Sequence, residues 1–341
     1  MKVLFDANLP FALAHGGAQI QIEQTRKGLE EAGVEVEWLR WWDEEQKADV
    51  IHFFYRPHPA LLRMAAKKGA KTVFCELLTG LGSRSARVRW AQKVIMEISK
   101  RGLPGGFIER LCWDAYQIAD GCIANTSWEK RLMVEMFSAK PERVHVVPNG
   151  VEDIFFRNSN LKIQNPKSKY LVCTATITER KRVVELAEAA IIAQVPVWII
   201  GEPYSKEDPY YLKFMEVVHG SNGLIRYEGG IRDRGEMAKI YEEALGFVLL
   251  SAMETRSLSA EEAAAGGCPL LLAELPWARA SFGSRATYSP LGSREREARK
   301  LKEFYHGIGK APRPPVPCRW GDVGKQLSRI YEGLLADKTS R

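Results

Sequence analysis

Short apolar runs recur along the chain, and each stops at a polar or glycine-containing turn before a stretch with helical spacing begins. Runs of this length, rich in β-branched and aliphatic residues, read as buried strands, whereas apolar positions three and four apart mark one face of a helix. The first predicted strand is Val3 to Phe5; a loop through Asn8 and Pro10 to His15, Gly16 and Gly17 leads into IQIEQTRKGLEEAG, which has helical spacing and ends at Gly33. Strands follow at Val34 to Leu39 and Ala48 to Phe54, then a helix at Ala60 to Lys68 and a strand from Lys71 to Cys75 that runs into Glu76. Asp120 to Asn125 is a strand, Thr126 or Ser127 caps the helix WEKRLMVEMF, and ERVHVVPNGV closes with a strand and a Pro-Asn-Gly turn. The polar stretch 152 to 168 reads as a linker.

Beyond it the rhythm resumes. Strand Tyr170 to Thr174 precedes a helix in ITERKRVVELAEAAIIA, whose first turn carries Arg180, Lys181 and Arg182. Strand Val195 to Ile200 ends at Gly201, and Leu224 to Glu228 ends at Gly229, Gly230 and Ile231, ahead of a helix in EMAKIYEEA. Residues 276 to 316, with several Arg, Gly and Pro, read as irregular, and RWGDVGKQLSRIYEGLL reads as an amphipathic terminal helix. Alternation of strands with helices predicts the α/β class, with parallel sheets.

One stretch, GFVLLSAMETRSLSAEEAAAGGCPLLLA at 246 to 273, concentrates candidate chemistry. Its strand, Phe247 to Leu250, delivers Ser251 and Glu254 to a carboxyl end; a helix from Ser259 closes at Gly266 and Gly267, and Leu270 to Leu272 begin another strand. Ligands bind outside strand carboxyl ends in such sheets, where helix N-termini offer free amides to phosphate. Glu254 and Glu262 suit paired hydroxyls, of a sugar and of a ribose; the plain alternative is two solvated charges. Cations at a helix N-terminus oppose its dipole, so Arg180, Lys181 and Arg182 point to a phosphate ligand or to a solvated basic turn. Gly16 and Gly17 at a helix entrance suit close approach of an anion, or simply a tight turn.

The span E-T-R-S-L-S-A-E-E-A-A-A-G-G-C-P resembles the donor-binding signature of retaining GT-B glycosyltransferases of family 4, the glycosyl transferases group 1. Glu254, Leu258, Glu262, Ala263, Ala265, Gly267 and Pro269 fall on that pattern in register, and the segment from Asp120 to the Asn149-Gly150-Val151 turn is also similar to the family. Arg256 and Ser257 stand where the pattern has Phe-Gly. The resemblance implies a GT-B architecture of two Rossmann-like domains facing each other across a cleft. An acceptor-side domain would span 1–155 and a donor domain 168–341, the last helix (about 320–336) packing back toward the first.

It also implies roles. Glu254, Lys181 and Glu76 would be catalytic. The nucleotide-sugar donor would be bound by Gly16, Gly17, Thr176, Arg180, Arg182, Gly201, Gly230, Ile231, Arg256, Ser257, Leu258 and Glu262. Lys181 matches the family's lysine, while Thr176 falls on its arginine, Arg182 on its glycine, and Glu76 on a histidine near the reacting centre. The reaction implied is retaining transfer of a sugar to a hydroxyl of a glycan, lipid or small molecule, without metal, cofactor or protein nucleophile. Thr176, Glu76 and Arg256 favour a second reading, a catalytically impaired relative that binds a nucleotide sugar or glycan as a regulatory subunit.

Composition narrows the classes further. The 341 residues, 45% hydrophobic and 27% charged, are a globular mixture, and no apolar run is long enough to cross a bilayer. The N-terminus shows no cleavable signal, so the expected location is cytoplasmic, with peripheral contact at the inner membrane face as a further option. A net charge of +7 is spread along the chain without nucleic-acid motifs, so a phosphorylated small molecule is the simpler partner and no nucleic acid is expected. Residues 84–107 mix arginines and lysines with apolar residues, which suits an anionic membrane, an acidic acceptor or an ordinary amphipathic helix. Cys75, Cys112, Cys122, Cys173, Cys268 and Cys318 lack disulfide or zinc spacing and read as small buried hydrophobes; Trp38, Trp41 and Trp42 read as packing residues.

Overall fold

A computed structural model describes residues 1–8, 16–102, 105–156 and 168–336. Among these residues the apolar runs form twelve short strands in two sheets, and the chain divides into two units, Met1–Gly150 with Cys318–Arg341, and Val151–Pro317.

In the first unit the strands are β1 (Lys2–Asp6), β2 (Glu35–Trp38), β3 (Val50–Phe53), β4 (Lys71–Cys75), β5 (Gly121–Ala124) and β6 (Val144–Val146). Their order is β2-β1-β3-β4-β5-β6, all pairs being parallel, with Val3 opposite both Val36 and Val50 and Cys75 opposite Ile123. The order reverses between β1 and β3, the place where open sheets leave a crevice at their carboxyl ends. Thr126 caps the helix Ser127–Phe137, its Oγ1 accepting from the Glu129 amide at 3.1 Å.

The last helix, Trp320–Ala336, belongs to this unit, where it packs on the helix Gly17–Glu31. A Cβ on Gly324 would lie 1.9 Å from the Gly28 carbonyl oxygen, and one on Gly28 2.4 Å from that of Trp320. The glycines therefore let the two backbones touch. The Tyr331 hydroxyl lies 2.7 Å from His52 Nδ1, and burial drives the His52 imidazole down to about 3. The tryptophans differ from expectation. Strand β2 is a sheet edge and Trp41 and Trp42 lie in the turn beyond it, so both are exposed, while Trp38 keeps an edge contact with Phe5 at 6.3 Å.

Glu129 is a buried carboxyl with no cation against it among the described residues, accepting from the amides of Leu78 (2.9 Å) and Asn125 (2.7 Å). Burial pushes it from 4.5 up to about 7. Because the folded chain holds this proton where the unfolded chain has released it, stability falls as pH rises from 4.5 through about 7. Glu129→Gln is expected to remove that decline, a change on the order of 2 kcal/mol between about pH 5 and pH 8 in denaturant melts.

In the second unit the strands are β7 (Leu171–Thr174), β8 (Val197–Ile200), β9 (Ile225–Tyr227), β10 (Gly246–Leu249), β11 (Leu270–Ala273) and β12 (Thr287–Ser289). The order is β12-β11-β10-β7-β8-β9, again parallel, which is the dinucleotide-fold order and reverses between β7 and β10. Val151 and Phe155 join this core, although the intended linker 152–168 lies largely outside the described residues.

The irregular reading of 276–316 is overturned. Pro276 opens a helix to Phe282, β12 follows, and Ser293 caps a helix Arg294–His306, accepting from the Arg296 amide at 3.4 Å. Its charges masked the pattern, because only Glu297, Ala298, Leu301 and Phe304 are buried. No disulfide joins the six cysteines; four are buried, and Cys112 and Cys318 are half-buried.

Candidate functional site

The loops after β7 and β10 emerge side by side, because those strands are neighbours and the order reverses there. After β7 the chain forms a 3-10 turn, Glu179–Lys181, then Arg182 in left-handed conformation (φ 55°), and only then the helix Val183–Ala193. The three cations thus precede the helix instead of forming its first turn. Two hydrogen bonds lock the loops together: the Ala252 amide donates to the Arg180 carbonyl at 2.9 Å, and the Arg180 side chain donates through Nη1 to the Met253 carbonyl at 2.7 Å.

This brings Lys181 Nζ onto the Glu254 carboxylate, with Arg180 Nη1 3.5 Å from the same oxygen. Glu254 and Lys181 are largely buried and Arg180 is the most open of the three. Two cations facing one carboxylate leave a net positive charge at the strand ends. Ser257 caps the helix Leu258–Ala265, its Oγ accepting from the Ala260 amide at 3.3 Å, so the helix begins earlier than the spacing suggested and Leu258 is its first residue. Arg256 contacts the buried Glu261 at 2.8 Å, and burial pushes Glu261 up to about 7 against that attraction.

Arg182 is turned elsewhere. Its guanidinium donates to Glu297 at 2.9 Å, inside the packing between the helices Val183–Ala193 and Arg294–His306. Thr176 lies half-buried on the loop beside Ile177, whose amide donates to the Glu202 carbonyl at 3.1 Å. Gly201 and Gly230 make the strand-end turns after β8 and β9; a Cβ at Gly201 would lie 1.9 Å from the Ala175 carbonyl oxygen, and one at Gly230 2.9 Å from Glu202. Ile231 is half-buried and packs on the core.

Glu262 sits beneath these loops. It accepts from Arg234, which also binds Glu152 at 2.7 Å, and its other oxygen lies 3.4 Å from the Tyr241 hydroxyl. Burial raises the Glu262 carboxyl from its ordinary value, and Arg234 opposes the rise. Spacing did not single out Arg234. The signal was present, since Asp233 and Glu236 form a capping pair, the Glu236 amide donating to Asp233 at 2.9 Å, which fixes Arg234 at a helix start just past β9.

In the first unit Glu76 follows β4 and is held by Arg56 through two hydrogen bonds of 2.7 and 2.8 Å and by the Tyr116 hydroxyl at 2.5 Å. Arg56 in turn lies 4.6 Å from the Phe137 ring centre. Beside them is a cavity of about 280 Å3 whose wall includes Leu77, Gln92 and Trp113. Gly16 precedes the helix Gly17–Glu31 with open space where a side chain would stand and no side-chain cap. His15 is outside the described residues.

Residues 37–150 match the family model described as glycosyl transferase 4-like domain. That domain lies in the first unit, and the chain as a whole has the GT-B fold of glycosyltransferases. No curated protein matches this chain in sequence. Among solved structures it is similar to HepE of Anabaena in complex with UDP-glucose (15% identity, TM-score 0.63, 100% of each chain covered). It is also similar to sucrose-phosphate synthase from Thermosynechococcus elongatus (14%, 0.65, covering 99% of this chain and 97% of the other) and to a glycosyltransferase from Rickettsia africae (12%, 0.62, 98% and 93%). At such identities the likeness is one of fold.

Proposed function

We propose that this glycosyltransferase moves a sugar from a nucleotide-sugar donor to an acceptor hydroxyl with retention of configuration and without a metal. The observation that carries the reading is the Lys181–Glu254 pair with Arg180 beside it, at the strand-order reversal of the second unit. Arg180, Lys181 and the first amides of the helix Leu258–Ala265 offset the charge of a departing diphosphate. Glu254 accepts from hydroxyls of the transferred sugar and Glu262 from the ribose. HepE was solved with UDP-glucose, which makes uridine diphosphate sugars the first donors to test. The acceptor is taken by the first unit at the cavity beside Glu76, where a carboxylate, an amide and Trp113 suit a hydroxyl-bearing ring.

The impaired-relative reading is favoured by one observation: Glu76 is tied to Arg56 and Tyr116 instead of standing free. Product formation and donor hydrolysis across a nucleotide-sugar panel separate the two, since a binding subunit retains donors and turns none over. For the donor site, Glu262→Ala is expected to weaken UDP roughly ten- to a hundredfold by calorimetry. Unchanged affinity would remove Glu262 from the site.

A further inference from the structure

We infer that the helix Ala86–Gly102 docks the first unit on an anionic membrane surface. This 17-residue helix buries one side chain, Met96. Trp90, Ile95 and Ile98 are 69%, 62% and 64% exposed, and Val88 and Val94 are exposed beside them. At about 100° per residue these five fall within one arc of roughly 160°. The opposite side holds the helix to its unit: Arg89 lies 4.6 Å from the Trp128 ring centre, and Met96 enters the core.

Single exposed apolar residues are ordinary, but five on one helical arc form a patch. Its charge identifies the occupant. Between Arg84 and Gly102 there are six basic residues and one acid, Glu97, which is 3.2 Å from Lys100. Arg87 and Arg101 are exposed within that arc at the two ends of the helix, Lys93 is exposed on its flank, and Arg84 is exposed just before the helix begins. Tryptophan and aliphatic residues ringed by cations match the interfacial layer of an anionic bilayer, where the rings enter the headgroup boundary and the cations meet lipid phosphates. A second copy would set like charges against each other, and a nucleic acid would leave Ile95 and Ile98 in water. No described helix is long and apolar enough to cross a membrane, so the contact is peripheral. Gln92 of this helix also lines the cavity beside Glu76, so docking brings that cavity to the lipid. Within the wider stretch 84–107, residues 103 and 104 lie outside the described residues.

The test is co-sedimentation of the full chain with vesicles of equal parts phosphatidylcholine and phosphatidylglycerol, and with phosphatidylcholine alone. Partition is expected only with the anionic vesicles, falling at least about tenfold in about 0.5 M salt. Arg87→Glu/Lys93→Glu/Arg101→Glu and Trp90→Ser/Ile95→Ser/Ile98→Ser are each expected to lower it at least about tenfold, with thermal melts unchanged because these side chains are exposed. Three results would overturn the proposal: no partition at low salt, equal partition into both vesicle types, or partition untouched by both variants. A lipid-free dimer that the serine variant dissolves would assign the face to a second copy and also overturn it. UDP binding, measured in parallel, stands or falls separately.

Discussion

Glu254→Gln is expected to lower kcat by on the order of 10²-fold while leaving the affinity for free nucleotide nearly intact. The carboxylate is largely buried against Lys181 and Arg180 at the end of β10. Glutamine keeps the shape and still accepts from Lys181, but it removes the negative charge that faces developing positive charge at the anomeric carbon. Ground-state nucleotide binding and turnover therefore move apart, and steady-state kinetics beside nucleotide titration read both. Normal turnover in this variant would remove the main support for the proposed chemistry.

The strands were readable because they are short, buried and apolar: Lys71–Cys75 emerges as expected, and most others shift by a residue or two at their ends. Such ends are set by hydrogen-bond pairing with neighbours, which periodicity does not contain. The helix Arg294–His306 was hidden for another reason. Its interior face rests on few apolar residues and on Glu297, a carboxylate whose partner Arg182 lies 115 positions away. The same holds at the candidate site. Lys181 and Glu254 were singled out separately, one from charge at a helix start and one from a strand end, but their ion pair depends on β7 and β10 being neighbours. Arg234 at Glu262, and Arg56 at Glu76, came into view only with the fold. Trp41 and Trp42 mark the opposite case: aromatic content predicts burial, and the turn beyond an edge strand leaves both rings exposed.

Arg182→Gly is expected to destabilise the second unit by about 3 kcal/mol without weakening nucleotide binding. Two effects oppose each other. Arg182 has φ 55°, where glycine is favoured, so the backbone term alone stabilises by about 1 kcal/mol. Its guanidinium, however, is the 2.9 Å partner of Glu297, which is fully buried and otherwise holds the Gly292 amide at 2.9 Å and a distant Arg294 at 3.9 Å. Stranding a buried carboxylate costs about 3–5 kcal/mol, which outweighs the backbone gain. Arg182→Gly/Glu297→Met removes both charges and should recover most of the loss, because an apolar side chain of similar size replaces the buried ion pair at little cost. Denaturant melts of the single and double variants measure the coupling, and UDP titration of both measures any donor role. A double variant no more stable than the single would refute the pairing as the source of the loss. Tenfold weaker UDP binding in a folded double variant would return Arg182 to the donor site.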